Sequence, residues 1–423
     1  MTGWELLAQC VAAAGVRRVF GRAIPGLQHV AVADPAMASL LADADGRLGP
    51  GPGAAFSEGV LRLSSKPGGP AKRRALTSLR DLPDAVAWAG SVAAGDLPGS
   101  AELALAADLD GEAAGHPAKP PRSGWSGMIL GSQLGRVLVF AGPGVVRAGA
   151  AEGLRGLAEA VGLGVSNTWG AKGVFDWRSH HHLGTVGLQE RDFELGGFDE
   201  ADTIVATGID PDESPRHRWA RDRVVTIPPS MLIGLVTQWP GHVDGTIADR
   251  PPLFDLIAGV VQPQWQDEKV PMAPARVLAD LAAAMTPGDR LAADPGPAGL
   301  WVARAFATTE LGSVVVPATV APGFAAAAAL AAAVRQPRVR VVGVTAGPLD
   351  DVSCRVLDLA RSMDVNLVLE VWGREGELES AADHAAALTA ARAGRGVKVL
   401  SVPVDFGWTD ALVEVAGPVV AWT

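Results

Sequence analysis

A glycine-rich turn is the first feature of this sequence that could bind a ligand. Gly142-Pro143-Gly144 follows an apolar run and precedes an amphipathic stretch, which predicts a strand, a turn and a helix. The backbone N–H groups of such a turn and the positive end of the helix can bind a phosphate group. Arg147 stands where a G-x-G-x-x-G motif has its third glycine, so a tight turn without a ligand is the alternative.

Adjacent histidines and a single cysteine are the next candidates for chemistry. His180, His181 and His182 could ligate a metal ion, but neighbours on a strand point to opposite faces and metal sites usually combine spaced ligands. We therefore expect an exposed loop here and no metal. Cys354 has no histidine base placed beside it in the sequence, so we interpret it as a small apolar core residue.

A pair of acids, Asp350 and Asp351, follows an apolar run that ends near Gly347. Paired carboxylates at a strand end could bind a divalent cation together with a diphosphate. The alternative is that they cap and stabilise the first turn of a helix that starts near Ser353. We favour helix capping.

The elements that must position these residues alternate between apolar strands and amphipathic helices. This alternation is typical of α/β domains with doubly wound parallel sheets. Stretches rich in Pro, Gly and polar residues at 115–124 and 261–275 predict linkers. The sequence therefore predicts three domains, at 1–115, 124–262 and 273–423. In the central domain we expect parallel strands at about 136–141, 163–168 and 202–207 and a helix at about 148–161.

The composition excludes several classes of function. The net charge of −10 argues against partners that need a basic surface, so we expect neither nucleic acid nor membrane binding. With 2 cysteines the chain has no disulfide scaffold. The apolar run 323–334 is too short to span a bilayer, and the N-terminal residues lack the pattern of a signal peptide. We therefore expect a cytoplasmic protein.

Several segments, in this order, resemble the thiamine-diphosphate-dependent enzymes of the acetolactate synthase and 2-oxo acid decarboxylase type. Residues 2–26 are similar to the family's opening helix, its "VFG" strand and its "PG" turn. Residues 53–68 are similar to its "GAAxxAxGYARxTGKPG" helix. The central domain matches a strand, a loop and a second strand of the family, at 137–145, 167–187 and 200–213. The segment 312–345 resembles part of the family's diphosphate-binding domain.

The resemblance implies a ligand site and partners. Six residues match positions that lie near the ADP part of FAD, ADP or CoA in relatives: Gly142, Gly144, Thr168, Gly170, Gly187 and Asp212. It also implies a homodimer or a dimer of dimers, in which the Ala-rich helix 324–334 would pack against a second subunit, and an intact paralogous subunit is a further candidate partner.

The sequence departs from the family where the family performs its chemistry. A glutamate in the family's "HEQGAA" motif contacts the aminopyrimidine of the cofactor, and we align Gly51 with it and Glu58 with a later acid. The family's "GDG" aspartate and a later asparagine hold magnesium on the diphosphate. Here the stretch 344–348 has no acid, and Trp372 and Gly373 stand near the asparagine position. A glycine-rich turn of the family is replaced by Leu76–Asp81.

These departures predict a degenerate member of the family without thiamine-dependent catalysis, which acts as a binding or partner subunit. We assign it no catalytic residue, no metal ligand and no cofactor. One alternative is an active lyase or decarboxylase of a 2-oxo acid that holds thiamine diphosphate and magnesium through rebuilt contacts. The other is a nucleotide binder that takes ADP, FAD or CoA in the central domain.

Overall fold

The structure is a computed structural model of the chain. It describes residues 1–65, 71–94, 99–118, 134–239, 250–310, 313–336, 340–373, 375–376 and 378–422. The chain divides into two compact units, Met1–Ser126 and Gly127–Thr423. The described part of the first predicted linker ends at residue 118, and the remainder of it lies outside the described residues.

The first unit contains one mixed sheet and helices that pack against it. Its helices are α1 (Gly3–Ala13), α2 (Pro35–Arg47) and α3 (Leu82–Ala94). Its strands are β1 (Arg18–Gly21), β2 (Gln28–Ala31), β3 (Gly53–Ser57), β4 (Val60–Ser64), β5 (Lys72–Leu76) and β6 (Ser100–Leu105). The strand order is β2-β1-β3-β4-β6-β5, and β4 runs antiparallel to both of its neighbours. Buried apolar residues of α1, α3 and the strands form the core.

Residues 53–65 form a hairpin, so the predicted helix in this segment is wrong. Strands β3 and β4 are joined by Glu58 and Gly59, both of which have positive φ, as a tight two-residue hairpin turn requires. Strand β4 places Leu61 and Leu63 in the core, which is the alternating burial of a strand. Non-local pairing with β6 therefore decides the conformation of a segment whose composition also suits a helix.

The helix of this region lies earlier in the chain, at α2. Asp34 caps it by accepting hydrogen bonds from the N–H groups of Ala36 and Met37, and Pro35 occupies its first turn. At its other end, Gly46 lies so close to β4 that a Cβ there would be 2.2 Å from the Ser64 carbonyl oxygen. A glycine is needed at this position because the two backbones touch.

The second unit contains two parallel sheets. The helices are α4 (Gly144–Arg147), α5 (Ala151–Val161), α6 (Asp192–Leu195), α7 (Arg216–Trp219), α8 (Leu232–Gln238), α9 (Pro252–Val261), α10 (Pro274–Ala284), α11 (Pro297–Ala305), α12 (Phe324–Arg335), α13 (Asp351–Ser362), α14 (Ala381–Ala393) and α15 (Thr409–Ala416). The strands are β7 (Val137–Ala141), β8 (Gly164–Asn167), β9 (His182–Thr185), β10 (Thr203–Thr207), β11 (Val224–Thr226), β12 (Arg290–Ala293), β13 (Val314–Val315), β14 (Val341–Ala346), β15 (Leu367–Gly373) and β16 (Val397–Pro403).

The order of the central sheet is β11-β10-β7-β8-β9 and that of the last sheet is β13-β12-β14-β15-β16. All neighbouring strands in these two sheets are parallel. The three central strands and the connecting helix predicted from the sequence are confirmed as β7, β8, β10 and α5. The predicted α/β fold class is therefore confirmed.

The Ala-rich helix α12 does not present an apolar face to a second subunit, contrary to the prediction. Every residue from Phe324 to Ala333 is buried within the chain itself. Its small side chains let the helix approach β14 closely, since a Cβ at Gly343 would be 3.1 Å from the Ala325 carbonyl oxygen. The small residues of α12 are thus explained by packing inside the second unit.

One further prediction from the sequence is wrong. Cys354 is exposed on α13 and is not a core residue. The predicted linker 261–275 lies between the central sheet and the last sheet, and its end is packed, since Met272 and Ala273 are buried and the Met272 N–H donates to the Pro403 carbonyl. Among the described residues, no helix is both long and apolar enough to cross a membrane.

Candidate functional site

The residues predicted to bind a nucleotide meet at one edge of the central sheet. Gly142 and Gly144 follow β7, Thr168 and Gly170 follow β8, and Gly187 follows β9. Asp212 follows β10 and is exposed. Since these strands are parallel neighbours, their carboxyl ends lie at the same edge, where ligands of open α/β sheets bind.

The two glycines of the first turn contact the protein's own backbone. A Cβ at Gly142 would be 2.4 Å from the Gly208 carbonyl oxygen, and a Cβ at Gly144 would be 2.6 Å from the Gly208 Cα. The N–H of Gly144 donates to that same carbonyl at 2.8 Å. Close packing against the segment after β10 therefore accounts for both glycines without a ligand.

Glu213 occupies the hydrogen-bond donors that follow β8. Its side chain is almost fully buried, and its Oε2 accepts hydrogen bonds from the Thr168 hydroxyl and, at 3.1 Å, from the Gly170 N–H. These are the donor types that would bind a phosphate at this edge. An internal carboxylate thus takes the place of an external anion, and the nucleotide site stays a prediction. The acidic run after β10 was the signal in the sequence that could have indicated Glu213.

The last sheet has a corresponding edge, where the resemblance expects a diphosphate and its magnesium. Strands β14 and β15 end side by side there, with Ala346 paired to Trp372. Gly347 follows β14, and neither it nor Gly373 has a side chain that could ligate a cation. The Trp372 side chain is fully buried and its indole N–H donates to Glu370 at 2.9 Å. Both strand ends therefore lack the oxygen ligands that magnesium requires.

Carboxylates occupy two helix N-termini at this edge. Asp294, which follows β12, accepts a hydrogen bond from the Ala325 N–H at the start of α12 at 2.7 Å. Asp350 caps α13 by accepting from the Ser353 N–H at 2.6 Å, which confirms the predicted helix capping. Burial raises the pKa of Asp294 to about 6, and the nearby Asp350 charge also raises it, although hydrogen bonds oppose these effects. A helix N-terminus that carries its own carboxylate is a poor site for a second anion.

These residues do not fit a magnesium-bound diphosphate. Within the described residues, no group of three or more His, Cys, Asp or Glu side chains is placed to hold a metal ion. Asp294 and Asp350 already accept from the N–H groups of Ala325 and Ser353, so these N–H groups are not free to bind a diphosphate. We derive no reaction step through the cofactor for this reason.

The position of the family's glutamate must be corrected in the first unit. Gly51 lies in the loop between α2 and β3, and Glu58 lies in the hairpin turn, so neither belongs to the family's helix. Neither residue therefore stands where the resemblance places the family's acids, which lie on a helix.

The segment that replaces the glycine-rich turn lies between β5 and α3, as the resemblance expects of such a turn. Ser78 begins a short helical turn by accepting a hydrogen bond from the Arg80 N–H. Leu79, Arg80 and Asp81 stand in this turn. Arg80 and Asp81 are exposed, and none of the three is a glycine that would let a cofactor approach the backbone closely.

The histidine run is not an exposed loop, contrary to the prediction. His180 is exposed, but His181 and His182 are buried. His181 Nδ1 lies 2.9 Å from the Leu163 carbonyl oxygen, and His182 begins β9 and lines a cavity. The latter histidine is therefore part of a site that the sequence did not indicate.

Comparisons with known proteins agree with this architecture. Residues 129–230 match the family model of the thiamine pyrophosphate enzyme central domain. The whole chain is similar to a solved structure described as a candidate thiamin diphosphate-dependent enzyme isolated from Mycobacterium smegmatis. That likeness has a TM-score of 0.67 at 15% identity and covers 96% of this chain and 99% of that chain. No curated protein matches the sequence.

The fold is thus that of a thiamine-diphosphate-dependent enzyme with α/β sheets in series. Residues 129–230 match the central-domain model of the thiamine pyrophosphate enzyme family, and this match agrees with the resemblance that the sequence motifs indicated.

Proposed function

We propose that this chain is a degenerate member of the thiamine pyrophosphate enzyme family that acts as a binding or partner subunit and does not perform thiamine-dependent catalysis. The observation that carries the proposal is the pair of carboxylates, Asp294 and Asp350, on the helix N-termini at the edge of the last sheet. The strand ends at Gly347 and Trp372, which carry no side chain that could ligate magnesium, support it. The hairpin at 53–65, which stands where the resemblance expects a helix, supports it in the first unit.

Calorimetric titration with thiamine diphosphate and magnesium tests the proposal. We expect no binding heat, no rise in Tm and no decarboxylation of pyruvate or of other 2-oxo acids. FAD, ADP and CoA, titrated in the same way, test the nucleotide-binding alternative, since a ligand of the native state raises its stability. We expect no stabilisation by them either, because Glu213 already binds the donors after β8.

An active enzyme would give the opposite result. Magnesium-dependent stabilisation by thiamine diphosphate that Asp350→Asn abolishes would establish that the metal site was rebuilt around the acid at the start of α13, and it would promote the lyase or decarboxylase alternative. Asp358→Asn, an exposed change on the same helix, is the matched control and should leave any such stabilisation unchanged.

We also propose that the chain forms a homodimer, a dimer of dimers or a complex with an intact paralogous subunit. The support is the family fold, since α12 is buried within its own unit and gives no evidence of an interface. Light scattering at micromolar concentration should report a dimeric or tetrameric mass for the isolated chain. A monomeric mass would leave the paralogous subunit as the partner to test.

A further inference from the structure

A cavity in the second unit lies beside β9, next to the loop that follows β8. Its volume is about 80 Å³. It is lined by the loop after β8, the strand β9, the helix α9 and the end of α11, and it opens to solvent on one side. It is lined by Lys172, Trp177, His182, Gly184, Thr185, Leu253, Phe254, Ile257, Ala258, Val261, Gln262, Trp265, Arg304, Ala305, Phe306 and Ala307.

Most of the wall is apolar. One face of α9 supplies Leu253, Ile257 and Val261, whose spacing of four residues places them along the same side of the helix. The rings of Trp177 and Trp265 meet edge to face with centroids 5.9 Å apart. Such a wall suits an apolar or aromatic ligand body, since ligand pockets are mainly apolar with a few polar groups that fix orientation.

The polar group that distinguishes this cavity is Lys172. Its side chain is only 7% exposed, and in the described part of the chain it forms no hydrogen bond or ion pair. The nearby cation Arg304 is paired with Asp192 at 2.7 Å, so that carboxylate does not neutralise the lysine. Burial, together with the Arg304 charge, lowers the pKa of Lys172 to about 7.

His182 adds a second unpaired polar atom. It is almost fully buried, and its Nδ1 has no hydrogen-bond partner among the described residues. Burial, Lys172 and Arg250 lower its pKa to about 3, and only Asp176 opposes them, so the ring is neutral at pH 7. Asp176 is itself bound by Arg178 at 3.1 Å. The cavity therefore contains one cation without a counter-charge and one neutral imidazole.

We propose that this cavity is a binding site for a small monocarboxylate with an aromatic or branched apolar body. The carboxylate would pair with the Lys172 ammonium, and the body would lie against α9 and the tryptophans. A monoanion matches the single uncompensated cation, whereas a phosphate would need more donors than the largely apolar wall offers. The site does not depend on the function proposed above, because it uses neither Glu213 nor the carboxylates Asp294 and Asp350.

The cost of the buried lysine gives the first test. A buried ammonium group without a partner destabilises the folded protein. Proteins retain such destabilising side chains mainly at functional sites, where the side chain is needed for binding or catalysis. We expect Lys172→Met to raise the Tm of the ligand-free protein by about 2–6 °C. Lys398→Met, at an exposed lysine, is the control and should not change the Tm. A lower Tm for Lys172→Met would mean that the lysine has a structural role, and it would overturn the proposal.

Ligand binding is tested with phenylacetate and its neutral amide, phenylacetamide, on the full chain. We expect phenylacetate at ten times its Kd to raise the Tm by about 2–4 °C, while the amide and inorganic phosphate at the same concentration do not. The gain should disappear in Lys172→Met. Ala258→Trp, which fills the cavity from α9 and keeps the lysine, should abolish binding as well. Equal stabilisation by acid and amide, binding retained in Lys172→Met, or no response to millimolar phenylacetate would each overturn the proposal.

The pH dependence of binding separates this site from a surface cation. The charged and titratable groups that act on Lys172 are Arg304 and the neighbouring His182, and His182 is in turn near Arg250 and Asp176. Asp176 and Asp192 are held by arginines. Since the carboxylate needs the protonated lysine, the affinity for phenylacetate should fall about tenfold for each pH unit above 7. An affinity that stays constant from pH 7 to 9 would indicate an ordinary exposed lysine or arginine and would contradict the assignment to Lys172.

Discussion

Arg304→Met is expected to destabilise the second unit by about 3–5 kcal/mol, because it leaves a buried charge without its partner. The Arg304 guanidinium donates to both carboxylate oxygens of Asp192 at 2.7 and 2.8 Å and to the Thr185 carbonyl at 2.7 Å. Asp192 is fully buried. This interaction joins α11 to the segment after β9, so its loss affects the packing of the central sheet against the last one. Urea unfolding followed by tryptophan fluorescence measures the change.

A nearby exposed pair is the matched control for this variant. Arg191 binds Glu194 on the surface, with side-chain exposures of 45% and 57%. Arg191→Met should cost less than about 1 kcal/mol, because water already solvates both charges. A loss of stability in Arg304→Met no larger than that of the control would contradict the assigned role of the buried pair.

His384→Gln is expected to remove a pH dependence of stability between pH 6.5 and about 9. His384 is buried, with Nδ1 2.9 Å from Asp280 and Nε2 3.1 Å from Glu370. Burial alone would lower its pKa, but the two carboxylates outweigh burial and raise the pKa to about 9. Because the folded pKa lies above the unfolded value of about 6.5, the stabilisation is complete below pH 6.5 and is lost as the pH rises through 9.

The difference between the folded and unfolded pKa of His384 sets the size of the expected stability change. We expect His384→Gln to be less stable than the parent protein at pH 6 by on the order of 3 kcal/mol, and the difference to shrink towards pH 9. His217→Gln, at an exposed histidine on α7, should keep the parent protein's pH profile. Urea midpoints measured at half-unit steps from pH 6 to 9 test both variants. The test is the difference between the two proteins, because Lys172, whose pKa is lowered by burial, gives both of them an opposing pH dependence above pH 7. A difference between the parent protein and His384→Gln that stays constant from pH 6 to 9 would disprove the prediction.

The parts of the fold that the sequence predicted are those in which local pattern and burial agree. The central strands are continuous apolar runs followed by polar residues, and buried parallel strands have that pattern. The capping of α13 by Asp350 could also be predicted from the sequence, because a carboxylate before an amphipathic stretch indicates the start of a helix. Asp34 and Pro35 likewise indicate the start of a helix at α2. The resemblance to the family motif, however, predicted the helix in the later segment, which forms the hairpin.

The candidate sites could not be predicted to the same extent because their geometry is non-local. The cavity around Lys172 joins residues from β9, α9 and α11, and no motif connects these segments. The pattern of adjacent histidines predicted an exposed loop, whereas His181 and His182 are buried. Glu213 could be recognised as the partner of Thr168 and Gly170 only when the loops after β8 and β10 were seen together.

Glu213 gives the central domain a tethered competitor for any anion. A phosphate that approached the end of β8 would first have to displace a carboxylate of the same chain. Its apparent Kd would equal the intrinsic Kd divided by the fraction of molecules in which Glu213 has moved away. Because the carboxylate is covalently attached, its local concentration does not fall on dilution or dialysis. The affinity of this edge for an anion therefore depends on how rarely the loop that carries Glu213 moves away, more than on which hydrogen-bond donors follow β8.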